Sequence, residues 1–384
     1  MGILRAEPFK IGSWASRSAS VAWRNYDLQL TIYAVLLTCF GLAMAYSNSV
    51  GPSQTTLSST SPFVRSILWA VLAAVVYAIA TAFDYKWLRT FTWPIYLVNV
   101  LLLALTLRFG KGVGEAAGSA RWFSVLDFQF QFSELAKILM ILVFAGYIAS
   151  RQKNMKSVWT IVGAVIVLAP PWILIMLQPD LGTSLVIVAT LAGMLFMGEA
   201  SLFWLGSMAA AVVAAIPIVW THLQYYQQSR LLALLNPEAD PQGAGFQLVQ
   251  AKLAVAAGGI WGKGLTNGNV YLPVKQSDFV WGVLAEELGF VGAVVVLVLF
   301  VALLWRILLS AWRSSDHFAM LVASGLASMI LFQLTVNVGM VIGLLPITGI
   351  PLPFVTYGGA SLVSLGLGLG ILQGANMRRE KPEW

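Results

Sequence analysis

Charge is what this chain has least of. Asp, Glu, Lys and Arg together make up 10% of its 384 residues, where a soluble domain carries about a quarter, so a water-solvated globule is excluded. The scarcity is uneven: no formally charged residue lies between Phe318 and Met377, a run of 60 positions. A spanning helix needs about 20 mostly apolar residues, so that run alone holds two. Cysteine is nearly missing as well. Cys39 is the only one, which rules out an intramolecular disulfide even where large loops face an oxidising space. The two histidines, His222 and His317, are too far apart in sequence to form a His-rich metal cluster. No small-residue cleavage pattern follows a short apolar core near the start, and the first apolar run begins only near Leu28 behind a basic, Ser-rich leader. The expectation is an uncleaved first span.

What is present is apolar. Hydrophobic residues fill 59% of the positions and mean hydropathy is +0.80, which points to an all-α integral membrane protein. Apolar windows between charge and turn clusters predict about ten spans, near 27–47, 63–83, 87–108, 132–150, 158–177, 181–198, 201–221, 280–305, 317–344 and 354–377. The net charge of +7 does not call for nucleic acid, because Lys and Arg collect in the short cytoplasmic loops of membrane proteins. Placing residues 1–26 inside puts Lys86, Arg89, Arg151, Lys153, Arg306 and Arg313 there too. Both termini are then cytoplasmic, with 27–377 as the membrane domain and 378–384 as a tail.

The expected loop between spans seven and eight, about 222–279, is long enough to be functional and is extracytoplasmic in this topology. Arg230 to Gly245 is rich in Pro, Asp and Gly and reads as irregular. From Phe246 on, Val249, Leu253 and Ala256 recur at helical spacing, which fits a helix lying along the interface and ending at Gly258-Gly259. Gly262-Lys263-Gly264 follows; such a turn can offer amides and an ammonium to phosphate, although no GxxxxGK[ST] sequence is present. The chain has no internal repeat. Gly366, Gly368 and Gly370 in the last span read as small residues that let helices approach closely.

Charged residues in or beside spans require a reason. Glu134 and Lys137 stand three apart on one helix face, as a mutually neutralising pair or as functional groups. Asp180, after Gln178-Pro179, reads either as the cap of span six or as a site residue. Asp278 lies at the outer mouth of span eight with Glu286 and Glu287 two turns deeper. That acid cluster is either a cap with polar packing groups or a reactive base with its supporting residues.

Three blocks, Gly118-Ser119-Ala120-Arg121-Trp122, Ser133-Glu134-Leu135-Ala136-Lys137 and Gln178-Pro179-Asp180-Leu181-Gly182-Thr183-Ser184, are followed by Asn236-Pro237, Gly245-Phe246-Gln247, Ser277-Asp278-Phe279 and Ala285-Glu286-Glu287-Leu288-Gly289-Phe290. The series closes with residues 345–354, Leu-Pro-Ile-Thr-Gly-Ile-Pro-Leu-Pro-Phe, and Tyr357-Gly358-Gly359. In this order the blocks resemble the SEDS family of cell-wall polymerases over about residues 25–379. Asn337-Val338-Gly339-Met340 with Gly349-Ile350-Pro351-Leu352-Pro353 is closer to the elongation members, RodA, than to the division members, FtsW. The chain departs from the family pattern at Phe132, Val274, Gln276, Thr356 and Ala360.

The resemblance implies an inverting peptidoglycan glycosyltransferase that polymerises lipid II into β-1,4-linked strands on the outer face of the bacterial cytoplasmic membrane. A lipid II flippase and a non-catalytic scaffold are the alternatives. It implies Asp278 as the base and Arg121, Lys137, Arg230 and Lys263 as diphosphate clamps. Glu134, Asp180, Gln247, Glu286 and Glu287 are carried over as substrate-binding. Trp122 either stacks on sugar or belongs to the interfacial aromatic belt. A divalent cation, Mg or Mn, with Asp278 as a possible ligand, is implied as cofactor. The implied partners are a class B penicillin-binding protein, docked on an exposed face of span nine near Ala323 and Ala327, and elongation-complex proteins such as MreC and MreD.

Overall fold

The computed structural model describes residues 23–50, 61–111, 121–125, 128–222, 225–240, 243–272 and 277–379. Gly118, Ser119 and Ala120 of the first sequence block, and the departures Val274 and Gln276, lie outside the described residues. The helices in chain order are α1 (Leu28–Ser49), α2 (Pro62–Ala82), α3 (Lys86–Thr90), α4 (Thr92–Phe109), α5 (Phe132–Ser150), α6 (Val158–Leu177), α7 (Leu181–Met197), α8 (Leu202–His222), α9 (Tyr225–Leu235), α10 (Ala244–Gly258), α11 (Val280–Trp312), α12 (His317–Val341) and α13 (Gly359–Met377). Among the described residues, eight helices are long and apolar enough to cross a membrane, and two shorter apolar helices, Leu181–Met197 and Leu202–Ala214, stand between the fifth and sixth of them. Each of the ten expected spans thus contains a helix, the third being divided between α3 and α4 at Phe91. A small antiparallel pair, β1 (Phe123–Val125) and β2 (Phe128–Phe130), precedes α5 and is not foreseen by the all-α reading.

Polar residues set several helix starts. Asp27 accepts from the Leu30 amide, Ser61 from Val64 just ahead of Pro62, and Asp316 from Phe318, each satisfying a donor that a helix N-terminus leaves open. The last helix begins at Gly359 rather than at Phe354, because Phe354 is left-handed at φ 64° and breaks the expected run.

α5 and α12 form the centre: most of their residues are buried, whereas α2 is largely exposed. This corrects the reading of span nine as an outward docking face. Ala323 and Ala327 are buried on α12, and a Cβ at Gly325 would press on Ile141 and Met194. A helix without charge on any side is also what a bundle centre requires. The glycines of α13 behave as expected. Methyls at Gly366, Gly370 and Gly374 would come within 2.7, 2.6 and 2.9 Å of the carbonyls of Ala73, Tyr77 and Thr81, so α13 lies backbone to backbone on α2.

The 225–258 region departs from its sequence reading at its start. Arg230 through Leu235 is helical, because Leu231, Leu232, Ala233 and Leu234 supply apolar helix formers despite the irregular stretch that follows. On α10 the buried residues are Ala244, Gly245, Leu248, Ala251, Ala254 and Gly258, while Val249 and Leu253 are exposed, as an apolar face turned to an interface would be. The small residues face protein because α10 lies close against α11, where Gly258 meets the Ala285 carbonyl.

That close approach repairs a break in α11. Gly289 is non-helical (φ 68°, ψ −169°), and the carbonyls of Glu286 and Glu287 lose their usual partners four residues on. They accept instead from the amides of Lys263 (3.1 Å) and Gly264 (2.9 Å), while the amides of Phe290 and Val291 donate to Gly259 (2.9 Å) and Ile260 (3.1 Å). Non-helical backbone at membrane depth survives only when other protein groups satisfy it. The Gly262-Lys263-Gly264 turn is therefore a structural patch, and its amides at 263 and 264 are not available to phosphate.

Gly262 has φ +78°, and a Cβ there would collide with the Glu287 carbonyl. Left-handed backbone alone costs an L-residue about 1–2 kcal/mol, so Gly262→Ala is expected to lower the unfolding midpoint in detergent by several degrees. Gly206→Ala, where a Cβ meets nothing within 4 Å, is expected to leave it unchanged. Equal midpoints for both variants would overturn the patch.

Candidate functional site

Asp278 stands in the turn that leads into α11, and three parts of the chain hold that turn. Phe279 is buried beside it. Asn337, fully buried on α12, donates Nδ2 to the Asp278 carbonyl (3.0 Å) and to the Ile350 carbonyl (2.8 Å). Thr356 donates Oγ1 to the Ser277 carbonyl (3.2 Å) and accepts from the Leu352 amide (2.8 Å). The turn's backbone is thus pinned to α12 and to the 350–356 loop, leaving the Asp278 side chain half-buried.

The carboxylate points over Gly349. A methyl added at that glycine would lie 3.3 Å from Asp278 Oδ2 and 3.6 Å from Arg230 Nη1. A carboxylate and a guanidinium from α9 therefore meet over a residue with no side chain, whose φ of +71° also favours glycine. One face of the site is anionic and able to take a proton; the other is a planar cation suited to phosphate oxygens. Tyr357 follows Thr356 in the same loop, and burial holds its phenol above the usual range while Arg65 beside it pulls the other way.

A second arm reaches this loop through α7. A Cβ at Gly182 would press on the Thr348 carbonyl (2.9 Å) and Ile350 (3.1 Å). Just before it, Asp180 caps α7, accepting from the Thr183 amide (3.1 Å) and hydroxyl (2.9 Å), from Gln131 Nε2 (3.0 Å) and from Ser133 (3.3 Å). Arg121 donates Nε to the Gln178 carbonyl (2.7 Å) and Nη2 to the Pro179 carbonyl, which ties the strand region to the turn between α6 and α7. Trp122 exchanges backbone hydrogen bonds with Lys111 (2.8 and 3.0 Å) and is half-buried. One residue after Ser133, Glu134 pairs with Lys137 at 2.8 Å, both buried.

Glu286 and Glu287 do not join Asp278. They lie two helical turns deeper, roughly 10 Å along the axis at 1.5 Å per residue. Glu286 Oε1 accepts from Lys263 Nζ (2.6 Å) and from the amides of Asn269 (2.8 Å) and Val270 (3.1 Å). Glu287 accepts from Ser47, whose oxygen also receives the Thr266 amide (3.2 Å). The two glutamates fasten the 263–270 segment to α11 and α1, so the single acid cluster read from the sequence is two separate groups. Gln247, in the first turn of α10, is half-buried and its side chain makes no hydrogen bond among the described residues.

Asn337, Gly349 and Arg65 were not singled out as site residues by the sequence reading. Asn337 and Gly349 belong to blocks quoted there, and the signal that distinguishes them, a buried amide and a left-handed glycine aimed at one turn, exists only in three dimensions. Among the described residues no three His, Cys, Asp or Glu side chains gather to hold a metal. A divalent ion beside Asp278 would have one protein carboxylate. That donor set suits Mg²⁺, which completes its shell with water and substrate phosphate.

The family model of the FtsW, RodA and SpoVE cell cycle proteins matches residues 27–381. Stage V sporulation protein E of Bacillus subtilis is 36% identical over 354 residues, covering 90% of this chain and 95% of that protein. Peptidoglycan glycosyltransferase MrdB of Escherichia coli K12 is 37% identical over 291 residues, covering 74% of this chain and 78% of its own. A solved structure described as the structural coordination of polymerization and crosslinking by a peptidoglycan synthase complex superposes with a TM-score of 0.79. It has 29% identity and covers 92% of this chain and 98% of that one.

Asn337→Leu removes the donor from two buried carbonyls. Each unmade bond is worth about 1–3 kcal/mol, so the variant is expected to unfold in detergent at a midpoint several degrees lower. An unchanged midpoint would mean that the Asp278 turn does not depend on Asn337.

Proposed function

Because this chain belongs to the FtsW/RodA/SpoVE family of cell cycle proteins, we propose that it is a peptidoglycan glycosyltransferase that polymerises lipid II into β-1,4-linked glycan strands. The meeting of Asp278 and Arg230 over Gly349 carries the reading. Diphosphate is a good leaving group, so the reaction needs no strong acid at the donor. It needs a base for the acceptor hydroxyl and positive charge for the departing diphosphate.

Asp278 takes the hydroxyl proton as the acceptor oxygen bonds to the anomeric carbon. The carbon–oxygen bond to diphosphate breaks, and its electron pair leaves with the phosphate. One displacement inverts the α-diphosphate to a β-glycoside. Arg230, which meets Asp278 over Gly349, is the foremost diphosphate clamp. Arg121, with two carbonyls already bound, shapes the wall of the site. A divalent cation, when bound at Asp278, would add charge stabilisation on the same diphosphate. A flippase needs a route through both leaflets, and the reactive groups described here gather at one end of the bundle.

We assign that end to the outer face of the cytoplasmic membrane and both termini to the cytoplasm, on the basis of the Lys and Arg bias. An elongation role rests on the Asn337 and Gly349 blocks. Relatives named for sporulation, division and MrdB all match, so the elongation role is proposed from those blocks alone. The resemblance also supports a class B penicillin-binding protein as crosslinking partner, with MreC and MreD in the same complex; its docking face is one other than buried α12. With Cys39 removed, an impermeant thiol reagent on intact cells is expected to label Asn267→Cys and not Lys153→Cys. The reverse labelling would overturn the orientation, and the absence of a penicillin-binding protein in detergent co-purification would overturn the partner.

Asp278→Asn keeps the size of the side chain and loses its ability to take a proton. General-base catalysis is worth about a hundred- to ten-thousandfold, and a loss of that order is expected in strand formation from labelled lipid II by purified protein with an unchanged elution profile. Asp180→Asn keeps an acceptor for the Thr183 amide, while the three donors that meet Oδ2 must turn or lose their partner, and it is expected to lose less activity than Asp278→Asn. Near-normal polymerisation by well-folded Asp278→Asn would refute the mechanism.

A further inference from the structure

The opposite end of the bundle holds a group of cations that the polymerase reading does not use. About 40 Å from Asp278, at 1.5 Å per residue along α11, a cavity of about 240 Å³ opens between the segment entering α1 and the ends of α11 and α13. Arg24, Arg306, Arg313 and Arg379 line it, with Asp27 as the one carboxylate. The lining therefore carries a formal charge of +3.

Neighbouring arginines show how such charges are usually settled. Arg306 binds Asp27 through Nε (3.1 Å) and Nη2 (2.6 Å). Arg378, outside the cavity, is buried and gives its guanidinium to the carbonyls of Thr81, Ala82 and Gly374. The guanidiniums of Arg24, Arg313 and Arg379 make no hydrogen bond or ion pair among the described residues. Two helix C-termini meet here, but each supplies only about half a negative charge. Together they offset about one of the three positive charges. The remainder repel one another unless an anion lies between them.

We propose that this cavity binds the phosphate headgroup of an anionic phospholipid. The geometry favours a lipid over a soluble anion because the cationic rim merges with apolar surface. Trp23, Leu28, Trp305 and Trp312 adjoin the lining residues in sequence, and each is more than 60% exposed. They offer acyl chains and the headgroup boundary a place to lie. The Asn376 amide, oriented by its bond to Ser310 (3.0 Å), adds a polar wall. Basic pockets between spanning helices recognise phosphate headgroups in this manner.

The test uses purified full-length protein in neutral detergent, with lipid retention read by native mass spectrometry. Dioleoylphosphatidylglycerol is expected to be retained, and dioleoylphosphatidylcholine at the same concentration is not. The Arg313→Gln/Arg379→Gln pair is expected to weaken phosphatidylglycerol retention by at least about tenfold, from the loss of charge-assisted hydrogen bonds. The Arg313→Lys/Arg379→Lys pair, which keeps the charge, is expected to stay within a few-fold. If the glutamine pair lowers the lipid-free unfolding midpoint, Arg24→Gln, outside the long helices, carries the same comparison. Equal retention of the two lipids, undiminished retention by the glutamine variants, or displacement of phosphatidylglycerol by millimolar inorganic phosphate would each overturn the proposal.

Discussion

Inside a membrane a backbone amide or carbonyl has no water to fall back on, so every departure from helix must be matched by other protein groups. In this chain that requirement is sharpest at Gly289, where α11 breaks and four backbone groups lose their helical partners. Residues 259–264 supply two carbonyls and two amides in their place. The arrangement fixes the path of the segment after α10. It explains the glycines at 258, 262 and 289, since a side chain at any of them would enter the other backbone. It also gives Glu286 and Glu287 their work, which is to fasten the patching segment by its amides, by Lys263 and through Ser47.

The same requirement organises the site. The turn at 277–279 and the loop at 348–356 are both non-helical and both adjoin buried protein. Asn337 answers a carbonyl from each with the two hydrogens of one amide, and Thr356 joins them a second time. Asp278 is consequently held by its backbone, through the carbonyl that accepts from Asn337. Asp180 shows the contrast, since its own carboxylate receives the capping bonds and those from Gln131 and Ser133.

Charge is distributed by the same logic at both ends of the bundle. Within the protein, charges are paired: Glu134 with Lys137, Glu286 with Lys263, Asp27 with Arg306. Near Asp278 the cation is Arg230, set beside a carboxylate where a diphosphate is proposed to depart. At the far end Arg24, Arg313 and Arg379 line a cavity without a hydrogen bond or ion pair among the described residues.

The spans were legible in the sequence because hydropathy is a local property, and a stretch of about 20 apolar residues has one low-energy arrangement in lipid. Asp278 stood out as a candidate too, since a carboxylate at the mouth of an apolar span requires a reason. The sequence alone left the facing of each helix open. α12 and α2 have similar composition, yet one is the centre and the other the rim, because the choice depends on which helices surround them. It also could not say that Asp278 and Glu286 part company, that Asn337, 59 positions away, holds the Asp278 turn, or that Gly349 makes room for Asp278 beside Arg230. Those facts depend on contacts between segments distant in the chain, and the energy of such contacts is defined only once the helices have packed.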